Sequence, residues 1–165
     1  AIHENFMVIF ATQNSYKMDV SMKMEVEIRD YKSSDYLDVV VLWGNLDLGN
    51  PQRGDNSEII EKTLAMGGKM LVMVRKDTMQ IIGTSWITND GRRLYLHHFG
   101  IAKEFQNQGL GDMLVKETLK YSRNLNMQIK LEVAPKNLSA IRLYEKNGFK
   151  LLGDYVVYII RNPGT

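Results

Sequence analysis

The segment Gln106-Asn107-Gln108-Gly109-Leu110-Gly111 stands between a strand-patterned stretch and a helix-patterned one. Glycines there let the backbone approach a ligand closely, and a helix start offers N–H groups with no partner inside the helix. The helix dipole adds positive potential at the same end. Such an arrangement holds a phosphate without a basic side chain. It is not a P-loop, because Gly111 is followed by Asp112-Met113 and not by Lys-Ser/Thr. It is not a dinucleotide fingerprint either, since Leu114 stands where a third small residue belongs. A plain glycine turn before a helix has the same composition, so the loop alone leaves both readings open.

Other residues of chemical interest are dispersed. His97 and His98 are adjacent on a strand pattern. Alternation would send them to opposite faces, where they cannot chelate one metal but where either suits a general base near neutral pH. A structural histidine is the competing reading. Glu132, in Lys130-Leu131-Glu132-Val133, falls on the face opposite Leu131 and Val133. By position alone it is an exposed strand carboxylate. Trp43, Asp47, Arg53 and Asp55 flank a break at Leu48 to Pro51. They would shape and charge a pocket, or form a solvated loop beside one core tryptophan.

The elements that must hold these residues follow from periodicity. Met24 to Ile28 alternates as a half-buried strand. Ser33 or Ser34 caps a helix whose apolar face is Leu37, Val40, Val41 and Trp43, and Asp55 with Glu58 caps a second, ending near Gly67-Gly68. Strands follow at Met70–Val74, Ile81–Thr88 and Leu94–Ile101, the last two joined by the turn Asn89-Asp90-Gly91. From Gly109 the period becomes helical, with Leu110, Met113, Leu114, Thr118, Tyr121 and Leu125 near one face. Gln128–Val133 is a strand, Asn137 caps a helix to Asn147, and Gly148 suits a left-handed C′ position. Tyr155 to Ile160 is strand-like. Interleaved helices with hairpins give a mixed-sheet α/β (α+β) domain over residues 22–162. Residues 1–21 lack a clear period and read as an extension, partly disordered or adding a strand at a sheet edge.

Composition narrows the function classes. The chain has 165 residues, no cysteine, and 21 basic against 19 acidic residues, a net charge of +2. There is no disulfide framework, cysteine-held metal or thiol nucleophile. So small a net charge gives no broad attraction for nucleic acid or anionic membrane. No apolar run reaches the ~20 residues of a membrane span. Phe6 to Ala11 is shorter than a signal core and has no basic cluster before it. The expectation is a cytoplasmic protein without metal, nucleic-acid or membrane partners, with a homodimer left open.

From Tyr95 to Gly111 the sequence resembles motif A of the GCN5-related N-acetyltransferases, the GNAT superfamily, whose Gln/Arg-x-x-Gly-x-Gly/Ala pattern Gln106 to Gly111 matches. Asn137 to Phe149 is similar to motif B, in the same order and with an intervening strand. Leu42-Trp43 and Asp47-Leu48 before Pro51 bear a weaker similarity to YpeA-type bacterial acetyltransferases. The resemblance implies a sheet of six to seven strands, about four helices, and splayed central strands holding acetyl-CoA. It implies transfer of the acetyl group to a primary amine, on a small molecule or a peptide, by direct attack in a ternary complex. A non-catalytic acyl-CoA-binding module of the same fold is the alternative. N–H groups around Gln108, Gly109, Leu110, Gly111 and Asp112 would hold the pyrophosphate, with Gln106 opening the motif. The backbone at Phe99 and Ile101 would pair with the pantetheine amides. Asn137 would cap its helix and touch the same arm. Tyr144 takes the position of the acid that protonates the leaving thiolate. Glu132 resembles a glutamate implicated in amine deprotonation in ribosomal-protein N-terminal acetyltransferases.

Overall fold

A computed structural model describes residues 24–164 except Pro51, Arg53 and Asp154. The proposed 1–21 extension lies outside the described residues, as does the side chain of Arg53. Five strands form one sheet in the order β1-β2-β3-β4-β5: β1 Val26–Asp30, β2 Lys69–Arg75, β3 Ile81–Asn89, β4 Leu94–Ile101 and β5 Ile129–Leu131. Neighbours are antiparallel except β4 and β5, which are parallel. Four helices accompany them: α1 Tyr36–Leu46, α2 Ser57–Ala65, α3 Leu110–Leu125 and α4 Leu138–Lys146. The expected mixed α/β architecture is present. None of the described helices is long and apolar enough to cross a membrane.

Two apolar clusters pack the helices against the sheet. One joins Val39, Leu42 and Trp43 of α1 and Ile60 of α2 to Met70, Val72, Val74 and Trp86. The other joins Val115 of α3 and Tyr144 of α4 to Ile87, Leu94 and Leu96. A hydroxyl pair is buried within this packing, Ser85 of β3 against Thr118 of α3 at 2.7 Å. Satisfying each other lets both polar groups remain inside.

The helix boundaries follow local chemistry that differs in detail from the periodicity. α1 is preceded by a single 3-10 turn at Ser33–Asp35. Asp35 is bound bidentately by Arg29 of β1 at 2.7 and 2.9 Å and accepts the Lys32 N–H at 2.8 Å. That anchor sets the phase of the helix. Val39, Leu42 and Trp43 turn inward, whereas Leu37 and Val41 are exposed. α2 is capped by Asn56, which accepts from Ile59 N–H at 3.0 Å. Asp55 is therefore free to act elsewhere.

Among the described residues the sheet has five strands, fewer than the six to seven expected. Residues 155–160 are a continuous run of strand-favouring residues but lie outside the sheet, with Tyr158 and Ile160 more than four-fifths exposed. The chain turns back at Gly148 (φ +91°), where Phe149 N–H donates to the Tyr144 carbonyl at 3.0 Å. The sheet edge beyond β4 is β5, whose three residues give little backbone for another strand to pair with.

Asp35 generates a stability prediction. Its pKa is held below the usual carboxylate value, first by the Arg29 hydrogen bonds, against an opposing effect of burial. A depressed folded pKa gives stability that is present above the unfolded value and lost as pH falls through the folded one. Asp35→Asn should cost about 2 kcal/mol at pH 7. Urea titrations should also show its stability falling less steeply than wild type below about pH 4.

Candidate functional site

The site begins with β4, which has two partners of unequal length. It runs along β3 from Leu94 to Ile101, but pairs with β5 only at Leu94↔Ile129, Tyr95↔Lys130 and Leu96↔Leu131. From His97 onward no described strand pairs with β4 on the β5 side, and the two strands part. Within this stretch the β3 register slips: Thr84 faces Gly100 and Trp86 faces His97. Ser85 thus opposes both His98 and Phe99, a β-bulge, and His98 takes the left-handed conformation at φ +40°.

The bulge reverses the direction of the backbone. Leu94 N–H donates toward β5, to Gln128 O at 2.8 Å, whereas Ala102 N–H donates toward β3, to Ile82 O at 2.8 Å. Both are even-numbered, so one extra residue has inverted the alternation. Beyond the bulge, the odd-numbered Phe99 and Ile101 direct their N–H groups into the gap. The Ile101 carbonyl already accepts from Gln106 Nε2 at 2.8 Å. Gln106 therefore fastens the start of the glycine loop to the end of β4.

Gly109 is the residue before α3, at φ +80°, and a Cβ there would meet nothing within 4 Å. The first helical bond is Met113 N–H to Gly109 O at 3.2 Å. N–H groups of Leu110, Gly111 and Asp112 precede that bond and have no partner within the helix. A Cβ on Gly111 would come within 3.2 Å of Leu143, so this glycine serves α3–α4 packing. Gln108 donates to the Glu104 carbonyl at 3.3 Å. The Asp112 carboxylate turns to α4, accepting from Asn147 at 3.0 Å and pairing with Lys116 and Lys146 at 2.7 and 3.2 Å. These cations hold its pKa well below the ordinary range and neutralise a carboxylate that would oppose an anion at this helix end.

The remaining candidates frame the gap from both faces. Phe99 meets Tyr144 edge-on at 5.8 Å, and Tyr144 meets Phe149 at 5.5 Å. Burial pushes the Tyr144 phenol up to about 12, so it remains protonated at neutral pH. Asn137 caps α4, accepting from Ala140 N–H at 3.2 Å. Glu132 is exposed just beyond β5 and faces Tyr95, whose phenol is pushed up first by burial and then by that carboxylate.

The histidines correct the simple alternation. Both rings approach Trp86, at 5.8 Å for His97 and 5.2 Å for His98, because the bulge brings consecutive side chains to one side. His97 hydrogen-bonds Thr88 at 2.8 Å and stacks on Tyr95 at 4.1 Å. Burial above all lowers its pKa to about 4. His98 lies against Trp43 at 4.5 Å and has Asp55 Oδ2 3.1 Å from its Nε2. Asp47 ends α1 in a left-handed conformation and is exposed, away from this group. Among the described residues no cluster of metal-ligating side chains occurs. Thr84, Trp86 and Tyr95 complete the group; Tyr95 opens the motif A stretch, and no motif in the sequence contains Thr84 or Trp86.

Thr84 holds the bulge: it accepts from Trp43 Nε1 at 2.9 Å and donates to the His98 carbonyl at 2.8 Å. Thr84→Val keeps the shape and leaves the indole N–H buried without an acceptor. Chemical denaturation should show a loss of about 2 kcal/mol.

Comparison with known proteins agrees with this geometry. Residues 42–149 match the acetyltransferase (GNAT) family. An acetyltransferase from Photorhabdus laumondii is 31% identical over 91 residues, 54% of this chain and 62% of that protein, so the match spans under two thirds of the relative. A GNAT-family acetyltransferase from Staphylococcus aureus superposes with TM-score 0.69 at 21% identity, over 76% of this chain and 84% of that one. Glucosamine-6-phosphate N-acetyltransferase from Arabidopsis thaliana gives TM-score 0.66 at 16% identity, over 82% and 98%. AAC(6')-Iy, in complex with a bisubstrate CoA analogue, gives 0.68 at 14%, over 83% and 99%. The gap between β4 and β5, the glycine-capped α3 and the α4 segment that closes on Tyr144 all fall within the matched span, and the chain belongs to the GNAT acetyltransferase family.

Proposed function

We propose that this chain transfers an acetyl group from acetyl-CoA to a primary amine while both substrates are bound. One observation carries the reading: the open edge of β4 runs directly into a helix start whose N–H groups are free and whose first position is an uncrowded glycine. An extended arm ending in a pyrophosphate fits that continuity. Acetyl-CoA supplies a thioester, whose carbonyl carbon an amine attacks.

In this reading Leu110, Gly111 and Asp112 hold the pyrophosphate through backbone N–H groups, with Gln108 and Gly109 shaping the turn and Gln106 tying it to β4. Phe99 and Ile101 pair with the amides of the pantetheine arm as a strand edge pairs with an extended peptide. Asn137 flanks the arm from the start of α4. Tyr144 gives its phenolic proton to the sulfur as the C–S bond breaks. Glu132 places a carboxylate at the rim, where it draws a cationic amine toward the gap and stands near enough to the strand end to serve proton removal through water. The reading is supported by the analogue complex of AAC(6')-Iy and the named activity of the plant enzyme, both of the same fold.

Release of free thiol from acetyl-CoA, measured across spermidine, kanamycin, glucosamine 6-phosphate and a lysine-containing peptide, tests the proposal. Amine-dependent release with at least one acceptor supports it. Acetyl-CoA binding without release from any would assign the fold to acyl-CoA sensing.

Two substitutions probe the halves of the site. Gly109→Glu should abolish detectable acetyl-CoA binding by calorimetry, because a carboxylate enters the anion position. Gly109→Ala, which adds only the strain of a left-handed side chain, should weaken binding far less. Tyr144→Phe should lower kcat roughly 10²-fold with acetyl-CoA affinity little changed.

A further inference from the structure

The paired start of β4 and β5 borders a cavity that the acetyl-transfer steps leave unused. Thr88, Asp90, Arg93, Tyr95, His97 and Lys130 line about 290 Å³ there. Part of the wall is aromatic: Tyr95 stacks on His97 at 4.1 Å, and the Lys130 ammonium lies 4.9 Å from the centre of the Tyr95 ring. His97 belongs to this wall and is also the first residue of β4 past its pairing with β5. The cavity therefore adjoins the mouth of the gap proposed to hold the thioester.

Its charges point to a ligand. Arg93 is half-buried and Lys130 is exposed, and neither forms a salt bridge among the described residues. The contact with Tyr95 gives the Lys130 ammonium a surface to rest on but uses none of its N–H donors. Asp90 is the one carboxylate in the lining, and its Oδ1 is committed to a turn, accepting from the Arg92 and Arg93 N–H groups at 2.8 and 2.6 Å. His97 adds no charge at neutral pH, since burial above all lowers its pKa to about 4. Glu132 supplies a complement outside the cavity. It follows Lys130 by two residues, on the same side of the chain, and faces Tyr95. Because β4 and β5 are parallel, Glu132 is nearer the gap than Lys130 is. A cationic end and an anionic end are thus set roughly 7 Å apart, two strand residues.

We infer that the acceptor amine carries an anionic group, a carboxylate or a phosphate, which Arg93 and Lys130 hold in this cavity while its nitrogen reaches the gap past Glu132. This deepens the acetyl-transfer reading and rests on it. An amine and an anion on neighbouring atoms are too close together to meet both ends, whereas a spacer of about five methylene groups matches the span. A polyamine would bring a second cation against Arg93 and Lys130, which disfavours it.

Two pairs of acceptors, each with and without the anion, test the inference: 6-aminohexanoate against 6-aminohexanamide, and glucosamine 6-phosphate against glucosamine. In thiol release, wild type should favour the anionic member of at least one pair about tenfold or more in kcat/KM, and the pair that responds tells carboxylate from phosphate. Arg93→Gln with Lys130→Gln should bring that ratio toward one by raising KM for the anionic member, with kcat, the neutral member and acetyl-CoA affinity little changed. Added salt should shrink the ratio in wild type and not in the double variant. If the double variant does not fold, Lys130→Gln alone, at an exposed position, should still lower the ratio. Residue-specific NMR reads the cavity without turnover: the anionic member of the responding pair should shift the amides of Tyr95, His97 and Lys130, and the neutral member should not. Equal or better use of the neutral members, preference for spermidine, a ratio unmoved by the substitutions, or no shift at these amides with either anionic compound overturns the assignment. No thiol release from any amine, with the amide shifts present, instead defeats the acetyl-transfer reading and leaves the cavity's preference for anions standing.

Discussion

Everything around the site depends on one geometric constraint: β4 cannot keep both of its neighbours. Alongside β3 it is paired to its end, whereas β5 leaves after three residues. Backbone N–H and C=O groups do not stay unpaired inside a protein without a substitute. The chain supplies part of one from Gln106, which covers the Ile101 carbonyl, and leaves the rest facing a gap. The bulge at His98 decides which groups face it, since without that extra residue the N–H groups of Phe99 and Ile101 would point into the sheet.

The same bulge separates the chemistry onto two sides. On the α4 face, Phe99, Tyr144 and Phe149 enclose a phenol that stays protonated at neutral pH. On the α1 face, Trp43 and Trp86 enclose the histidine and bring the loop carboxylate to it. The phenol and the imidazole therefore lie on opposite faces of the sheet where β4 and β5 part. Distant interactions set this up. Arg29 and Asp35 fix the phase of α1, the phase delivers Trp43 inward, and Trp43 reaches Thr84 at the bulge.

Much of this was legible in the residues. The β4 boundaries, the start of α3 at the glycine loop, the Asn137 cap and the turn at Gly148 each have a local chemical signal, and the structure has them where that signal falls. The misreadings share a different cause. Periodicity puts Leu37 and Val41 inward because it does not reveal how an anchoring ion pair rotates a helix. His97 and His98 were sent to opposite faces because a bulge has no signature in one sequence. Asp55 was read as a cap because its partner is remote in sequence. Tyr155 to Ile160 has the composition of a strand, but composition does not supply a neighbouring edge long enough to pair with.

The central claim is that the β4–β5 gap and the α3 start form one continuous binding surface. Amide hydrogen exchange with and without acetyl-CoA tests it directly, residue by residue. The account predicts that ligand slows exchange at Phe99, Ile101, Leu110, Gly111 and Asp112 together, while amides of β1 and β2 are unaffected. Protection confined to other segments, or slowing at α3 with none at Phe99 and Ile101, would contradict it.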